Sequence, residues 1–175
     1  MKKVLIGLAT LVVLIVVIGL FLPSTYAVEE RLEIKASPDE IHALVSDLDR
    51  WDDWTPWREA DPTVVITNGA ITAGVGASQT WSSDEGDGEL TITESDPAKG
   101  IAYEMVFIMG ETRAPASCAM TYEVDGENTT VVWTMEGDMG DAMPPVVSGY
   151  MTLMMSGAIG DMFQTGLQKL KTVVE

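Results

Sequence analysis

Few residues in this chain have the type and spacing that catalysis or metal binding requires. His42 is the only histidine and Cys118 the only cysteine, and neither has a partner at the spacing of a metal site or a catalytic pair. No stretch matches a nucleophile elbow, a zinc cluster, a phosphate-binding loop or a nicotinamide fingerprint. The sequence therefore predicts no catalytic residue, no metal and no cofactor. An enzyme would depend on isolated carboxylates such as Glu104 or Asp161, with a pKa raised by burial.

Both single residues have a simpler structural interpretation. His42 falls outside the apolar stripe of the helix predicted below, which indicates a solvated side chain. Cys118 has no His, Asp or Asn neighbour that would activate it, so we expect a buried thiol that packs as a small hydrophobic group. A single cysteine allows no internal disulfide, so packing must stabilise the domain.

A tryptophan-rich turn is the most distinctive local feature. Residues 49–57, DRWDDWTPW, hold three of the five tryptophans at intervals of three residues, which gathers the rings on one side of a short helical turn. The rings could form a hydrophobic lid that closes one end of the core. Trp54 and Trp57 could instead line a ligand cavity, where flat aromatic surface suits sterol-like, polycyclic or cationic guests.

A strand and a capped helix precede this turn. Residues 28–36 alternate in polarity as a first strand does. Ser37, Pro38 and Glu40 then have the spacing of a capping box at the start of a helix. The helix would bury an apolar stripe made of Ile41, Leu44, Val45 and Leu48.

Six further strands and a long helix complete the domain. Glycine-containing turns separate strands predicted at 63–67, 77–82, 89–94, 101–108, 115–124 and 129–136. The last three alternate apolar with charged or hydroxyl residues, which indicates an antiparallel sheet with one wet face. The final helix, roughly Pro145 to Val174, is amphipathic. Its glycines weaken it unless the sheet supports it, and its methionines suit either an irregular core or a deformable cavity wall.

The N-terminus holds an apolar run from Val4 to Leu22 that is long enough to cross a membrane as one helix. Lys2 and Lys3 precede the run and acidic residues follow it, so the positive-inside bias keeps the N-terminus in the cytoplasm. We predict a single-pass protein of the cytoplasmic membrane, with the anchor in residues 1–27 and one domain, residues 28–175, on the periplasmic or extracellular side. A signal peptide cleaved after residues 25–27, TYA, is the alternative, and it too would export the domain.

The charge of the chain limits its partners. The net charge is −17, and two of the basic residues lie before the apolar run. The negative electrostatic field of such a chain repels phosphate backbones and anionic lipid head groups, so the sequence argues against nucleic acid as a partner.

Several motifs carry a resemblance to a known family. They are Ala36-Ser37-Pro38, DRWDDWTPW at 49–57, GVGAS at 74–78 with Trp81, GELTITE at 88–94 and VVWTM at 131–135. The chain resembles the SRPBCC superfamily, the START and birch-pollen-allergen-like proteins, and within it the polyketide cyclase/dehydrase group. The resemblance implies an α+β helix-grip fold: a seven-stranded antiparallel sheet curved around the long C-terminal helix, with a cavity for hydrophobic ligands between them. It implies no single activity, because the group has no universal catalytic motif.

These observations lead to one expected function and two alternatives. We expect the domain to bind a hydrophobic small molecule or lipid next to the membrane. The expected cavity walls are Trp54, Trp57, Tyr103, Met105, Phe107, Met120, Tyr122 and Met155. A cyclase or hydrolase that uses buried carboxylates, and an interaction domain without a ligand, are the alternatives.

Overall fold

In the computed structural model, which describes residues 2–175, a long apolar helix leads directly into one mixed domain. The helices are α1 (Lys2–Phe21), α2 (Pro38–Val45), α3 (Trp51–Trp54), α4 (Trp57–Ala60) and α5 (Pro145–Val174), with a 3-10 turn at Leu48–Arg50. The strands are β1 (Thr25–Ile34), β2 (Val65–Asn68), β3 (Ser78–Ser82), β4 (Asp87–Asp96), β5 (Gly100–Met109), β6 (Thr112–Asp125) and β7 (Asn128–Asp138). All are antiparallel in the order β1-β7-β6-β5-β4-β3-β2. The predicted seven-stranded sheet with a long C-terminal helix is confirmed.

The strands differ from their predicted bounds mainly where strand pairing continues into the turns. β1 begins at Thr25, a few residues before the predicted domain boundary, because Thr25 already lies opposite Asp138 of β7. Tyr26 is buried within this added part of β1. At the opposite edge of the sheet, β2 has only four residues.

The start of α2 follows the predicted capping box. The Ser37 hydroxyl accepts a hydrogen bond from the Glu40 backbone N–H, and the Glu40 carboxylate accepts one from the Ser37 backbone N–H at 2.9 Å. Pro38 occupies the first turn, where a missing N–H costs nothing. The caps therefore start α2 immediately after β1 and direct it across the concave side of the sheet.

Helix α5 lies alongside β1 from Thr152 to Lys171. Thr152 Oγ1 donates to the Ser24 carbonyl at 2.9 Å, and Lys171 Nζ donates to the Glu33 carbonyl at 2.9 Å. Between these points Phe163 stacks on Trp133 of β7, with ring centroids 3.9 Å apart and planes within 5°. The helix thus covers the β1–β7 side of the concave face, and other side chains must fill the space above β3 to β6.

The end of α1 packs against the start of α5. Gly19 is buried there, and a Cβ at this position would lie 2.8 Å from side-chain atoms of Val146 and Tyr150. The Tyr150 hydroxyl donates to the carbonyl of Ile15 at 2.8 Å. This contact places the first turns of α5 beside the C-terminal part of the apolar helix.

Gly100, at the start of β5, provides a stability test of the fold. Its φ is +114°, and a Cβ there would overlap the Met120 carbonyl oxygen of β6. We expect Gly100→Ala to lower the free energy of unfolding by at least about 2 kcal/mol. The measurement is urea or thermal unfolding followed by near-ultraviolet circular dichroism.

Gly157→Ala is the matched control. This helical glycine has no other heavy atom within 4 Å of an added Cβ, so alanine should stabilise α5 by up to about 1 kcal/mol. Equal stabilities for the two variants would contradict the close approach of β5 and β6 at Gly100.

Candidate functional site

The concave face of the sheet divides into two halves of different packing. One half, near the C-terminal part of α5, is filled by an aromatic core. Its members are Trp51, Trp54, Trp57, Tyr103, Trp133 and Phe163, each of which has another member within 6.0 Å between ring centroids. Trp133 Nε1 donates to the Tyr103 hydroxyl at 2.8 Å and so ties β7 to β5 across the intervening strand. This half is closed.

The aromatic core contains one polar group without a protein partner. The indole N–H of Trp54 is buried, and among residues 2–175 no acceptor lies within hydrogen-bonding distance of it. A buried donor left without an acceptor costs about 1–3 kcal/mol. A buried water molecule or an oxygen atom of a bound molecule would remove this cost.

The other half of the concave face is apolar and only partly covered. We call this the open half, and it consists of Trp81, Met105, Phe107 and Met109, all of which pack against the core while remaining half-buried. Trp81 meets Phe107 edge to face at 5.8 Å. The inward positions on β3 to β6 carry no charged residue.

Small residues on the neighbouring strands make this floor wide. Phe107 lies opposite Gly88 of β4 and Ala114 of β6, while Met105 lies opposite Ala116. The ring of Trp81 occupies the place that a side chain at residue 88 would need. Because Gly88, Ala114 and Ala116 carry at most a methyl group, they leave room beside Phe107 and Met105.

The expected cavity residues fall into three groups. Trp54, Tyr103 and Met120 are enclosed in the closed half, with exposed fractions of 0%, 1% and 0%, and Trp57 lies at its edge. Met105 and Phe107 form part of the open half, and Met155 of α5 is half-buried against the core. Tyr122 lies beyond the aromatic core, next to His42. Contact of these residues with a ligand stays a prediction.

Sequence reasoning missed Trp81 and Met109 as members of the open half. Met109 falls just outside the predicted strand at 101–108, although it continues the alternation of Met105 and Phe107. Trp81 shares its strand face with Gln79. Because Gln79 is polar, this face looks solvent-exposed in the sequence, although Gln79 is in fact buried. The alternating pattern of β3 was the signal that could have found Trp81.

The prediction that His42 is solvated is wrong. The side chain is 7% exposed, with its ring nitrogens 3.0 Å from Ser95 Oγ and 3.3 Å from the Tyr122 hydroxyl. The end of β4 covers this side of α2, so the buried stripe is wider than the sequence pattern indicated. Burial lowers the pKa of His42, while the charges of Asp96 and Asp39 act in the opposite direction.

The carboxylates considered for catalysis do not point into the concave face. Glu104 and Asp161 are both exposed, and Glu104 accepts hydrogen bonds from Ser117 on the outer face of the sheet. Neither forms the buried carboxylate that the enzymatic alternative needs. Cys118 is buried as predicted, and burial raises the pKa of its thiol to about 12.

Two surface hollows lie outside the space between the sheet and α5. One, of about 360 Å³, is bordered by the β1–α2 connection and the β6–β7 turn, including Lys35, Glu40 and Glu127. The other, of about 170 Å³, is bordered by Asp52 and Arg58 among others. Both have charged rims, which does not match the apolar surface expected of a hydrophobic ligand site.

Comparison with known proteins gives one family and many structural relatives. A family model described as "Polyketide cyclase / dehydrase and lipid transport" matches residues 25–175. No curated protein matches the chain.

The solved structures that resemble it share its fold at low identity. The Aha1 dimer from Colwellia psychrerythraea is 20% identical with a TM-score of 0.59, covering 86% of this chain and 96% of that one. Ara h 8.0201 is 14% identical with a TM-score of 0.59, covering 86% and 97%. Protein jhp0584 from Helicobacter pylori is 9% identical with a TM-score of 0.65, covering 86% and 88%. These likenesses show the fold alone.

The burial of His42 predicts a pH dependence of stability. Because its pKa is lowered in the folded chain, the unfolded chain binds more protons at this ring once the pH falls below about 6.5. We therefore expect the free energy of unfolding to decrease as the pH is lowered from about 7 towards 5, above the range in which carboxylates titrate. His42→Gln should flatten this slope. Parallel slopes in both proteins, measured by urea unfolding at several pH values, would contradict a buried neutral imidazole.

Proposed function

We propose, from the premise that the chain belongs to the polyketide cyclase/dehydrase and lipid transport family, that it binds a hydrophobic small molecule or lipid beside a membrane. The ligand would lie between the sheet and α5, over the open half. One observation carries the proposal: an uncharged apolar floor of two rings and two methionines lies half-covered inside an otherwise well-packed domain. Binding is favourable on such a floor because an apolar molecule that displaces water from it removes apolar surface from water.

The chemistry of the surrounding groups supports a mostly apolar ligand with an oxygen atom. Met105 and Met109 provide flexible, polarizable surface that adapts to different shapes. Trp81 and Phe107 provide flat surface for rings or chains. The unpartnered indole N–H of Trp54 lies in the closed half, so it can donate to a carbonyl or hydroxyl oxygen only if the ligand extends from the open half into the aromatic core.

Binding would require α5 and its side chains to change conformation. Met155 of α5 is half-buried against the core, and Gly157 lies in the same part of the helix with no neighbour around it. Glycine weakens a helix interior by up to about 1 kcal/mol relative to alanine. Rotamer changes at the methionines and a small bend of α5 would enlarge the space without unfolding the aromatic core.

Membrane attachment is the second part of the proposal. Within residues 2–175, α1 is the one helix whose length and mean hydropathy, 3.1, would allow it to cross a membrane. Its apolar side chains are exposed along almost the whole helix, as those of a helix surrounded by lipid would be. Lys2 and Lys3 at its start favour an N-terminus in the cytoplasm and a domain on the opposite side.

The ligand part is tested with an uncharged apolar fluorophore, N-phenyl-1-naphthylamine, and the domain from Ser24 to Glu175. Cooperative unfolding of this shortened chain is checked first. The parent domain should bind the fluorophore, and Met105→Trp in the open half should weaken binding several-fold while the melting temperature changes little. Added bulk there fills space that the ligand would use.

Met120→Trp is the matched control in the closed half. Met120 is fully enclosed, so the larger ring should lower the free energy of unfolding by about 1–3 kcal/mol and leave binding by the folded molecules unchanged. Absence of binding by a folded parent domain would refute the proposal and favour the interaction domain without a ligand.

The membrane part is tested by topology. A tag placed after Glu175 should be reached by a membrane-impermeant reagent in intact cells, because Lys2 and Lys3 hold the other end of α1 inside. The intact mass of the protein from the membrane fraction should include residues 1–27. A tag reached only after lysis would refute the orientation, and a mature chain starting at residue 28 would show cleavage instead of anchoring.

A further inference from the structure

The N-terminal half of α5 has a surface that is unusual for this acidic protein. No charged residue occurs between Asp141 and Asp161, although the net charge of the chain is −17. Three large apolar side chains stand exposed within this interval: Val147 at 47%, Leu153 at 66% and Met154 at 73%. Exposed apolar surface that is concentrated on one helix face is typical of an interaction surface.

The same face of α5 continues into the contact with α1. Val147, Tyr150 and Met154 follow each other at spacings of three and four residues, so they share one side of the helix. The central member, Tyr150, packs beside Gly19 and bonds to the carbonyl of Ile15. The exposed residues on either side of Tyr150 are therefore neighbours of the apolar surface of α1.

The depth of this contact follows from helix geometry. Ile15 lies six residues before the end of α1 at Phe21, which corresponds to about 9 Å along the helix axis. With α1 across the membrane, the apolar run from Val4 to Leu22 fills most of the hydrocarbon core, which is about 30 Å thick. A side chain that reaches Ile15 therefore extends into the hydrocarbon core. The first turns of α5 would thus lie at the depth of the lipid head groups and the first acyl carbons.

We propose that the lipid leaflet on the domain's side of the membrane covers this face, which we call the lipid face: Val147, Tyr150, Leu153 and Met154. The inference rests on the proposed anchoring by α1. The lipid face continues the lipid-exposed surface of α1 without interruption, which makes the bilayer its occupant instead of a soluble protein. Apolar burial drives the contact, since the net charge of the chain would repel anionic head groups.

This docking would join the membrane to the ligand site through one helix. Leu153 and Met154 are exposed, whereas Met155 in the same turn of α5 packs against the core. One side of this turn would therefore face lipid and the other side faces the protein interior. The ligand class that fits this arrangement is a molecule dissolved in the bilayer, such as a single acyl chain, which could pass beside α5 into the open half with little exposure to water. Water exposure would otherwise cost about 0.8 kcal/mol per CH₂ group.

The test places a fluorescent label at single positions of the full chain in phosphatidylcholine nanodiscs, in a Cys118→Ala background. Nitroxide-labelled lipids report the depth of each label by quenching. Met154→Cys should be quenched strongly by a nitroxide near the glycerol level. Val173→Cys is the control on the same helix; it is also exposed but lies about 28 Å further along the axis, and it should be quenched several-fold less.

A label at Val12→Cys, in the middle of α1, separates this inference from the proposed anchoring. Quenching at residue 12 without quenching at residue 154 would overturn the lipid face while leaving the anchor intact. Lack of quenching at both positions would overturn the anchor and the lipid face together. Neither result depends on the fluorophore-binding experiment, which tests the ligand site separately.

A functional readout accompanies the depth measurement. Met154→Glu should slow the transfer of a fluorescent fatty acid from vesicles to the full chain several-fold, because a carboxylate on the lipid face opposes docking. Val173→Glu adds the same charge at an exposed site away from α1 and should leave the transfer rate unchanged. Equal transfer rates for the two variants would count against a lipid face that serves the ligand site.

Discussion

The stack of Phe163 on Trp133, with ring centroids 3.9 Å apart, is the contact on which the arrangement of the domain depends. It fixes α5 over β7, and Gly166 allows the helix to approach because a Cβ there would come 2.9 Å from the Trp133 ring. Trp133 also donates to Tyr103, so the same ring connects the helix, β7 and β5. With α5 held at this end, the rest of the helix projects along β1 towards α1, and the open half lies beside it on β3 and β5.

The division into a closed and an open half separates stability from binding. The aromatic core holds α5 against the sheet through the stack of Phe163 on Trp133, so it can support a neighbouring region that is less completely packed. The open half has few contacts to lose, because small residues at 88, 114 and 116 lie beside Phe107 and Met105. A bound molecule could therefore enter without paying the cost of disrupting the core.

Much of the fold could be predicted because local signals agreed with one another. The capping box at Ser37 and Glu40, the alternation of the strands and the long apolar pattern of α5 each indicate one element, and the structure contains all of them. The site was harder to predict because it depends on how elements meet. His42 looks solvated from the periodicity of its own helix, and it is buried because Ser95 of β4 and Tyr122 of β6 pack against it. Trp81 shares a face with polar Gln79, whose burial depends on the neighbouring strands.

The edge strand β2, with only four residues, affects how neighbouring copies of the protein could pair with each other. Attachment to a surface confines proteins to two dimensions, where neighbours collide in similar orientations and at high local density. An edge strand in that setting is a template for joining one sheet to the next. A strand of four residues offers few free backbone groups at this edge, which would limit such pairing between copies held side by side by the proposed anchor.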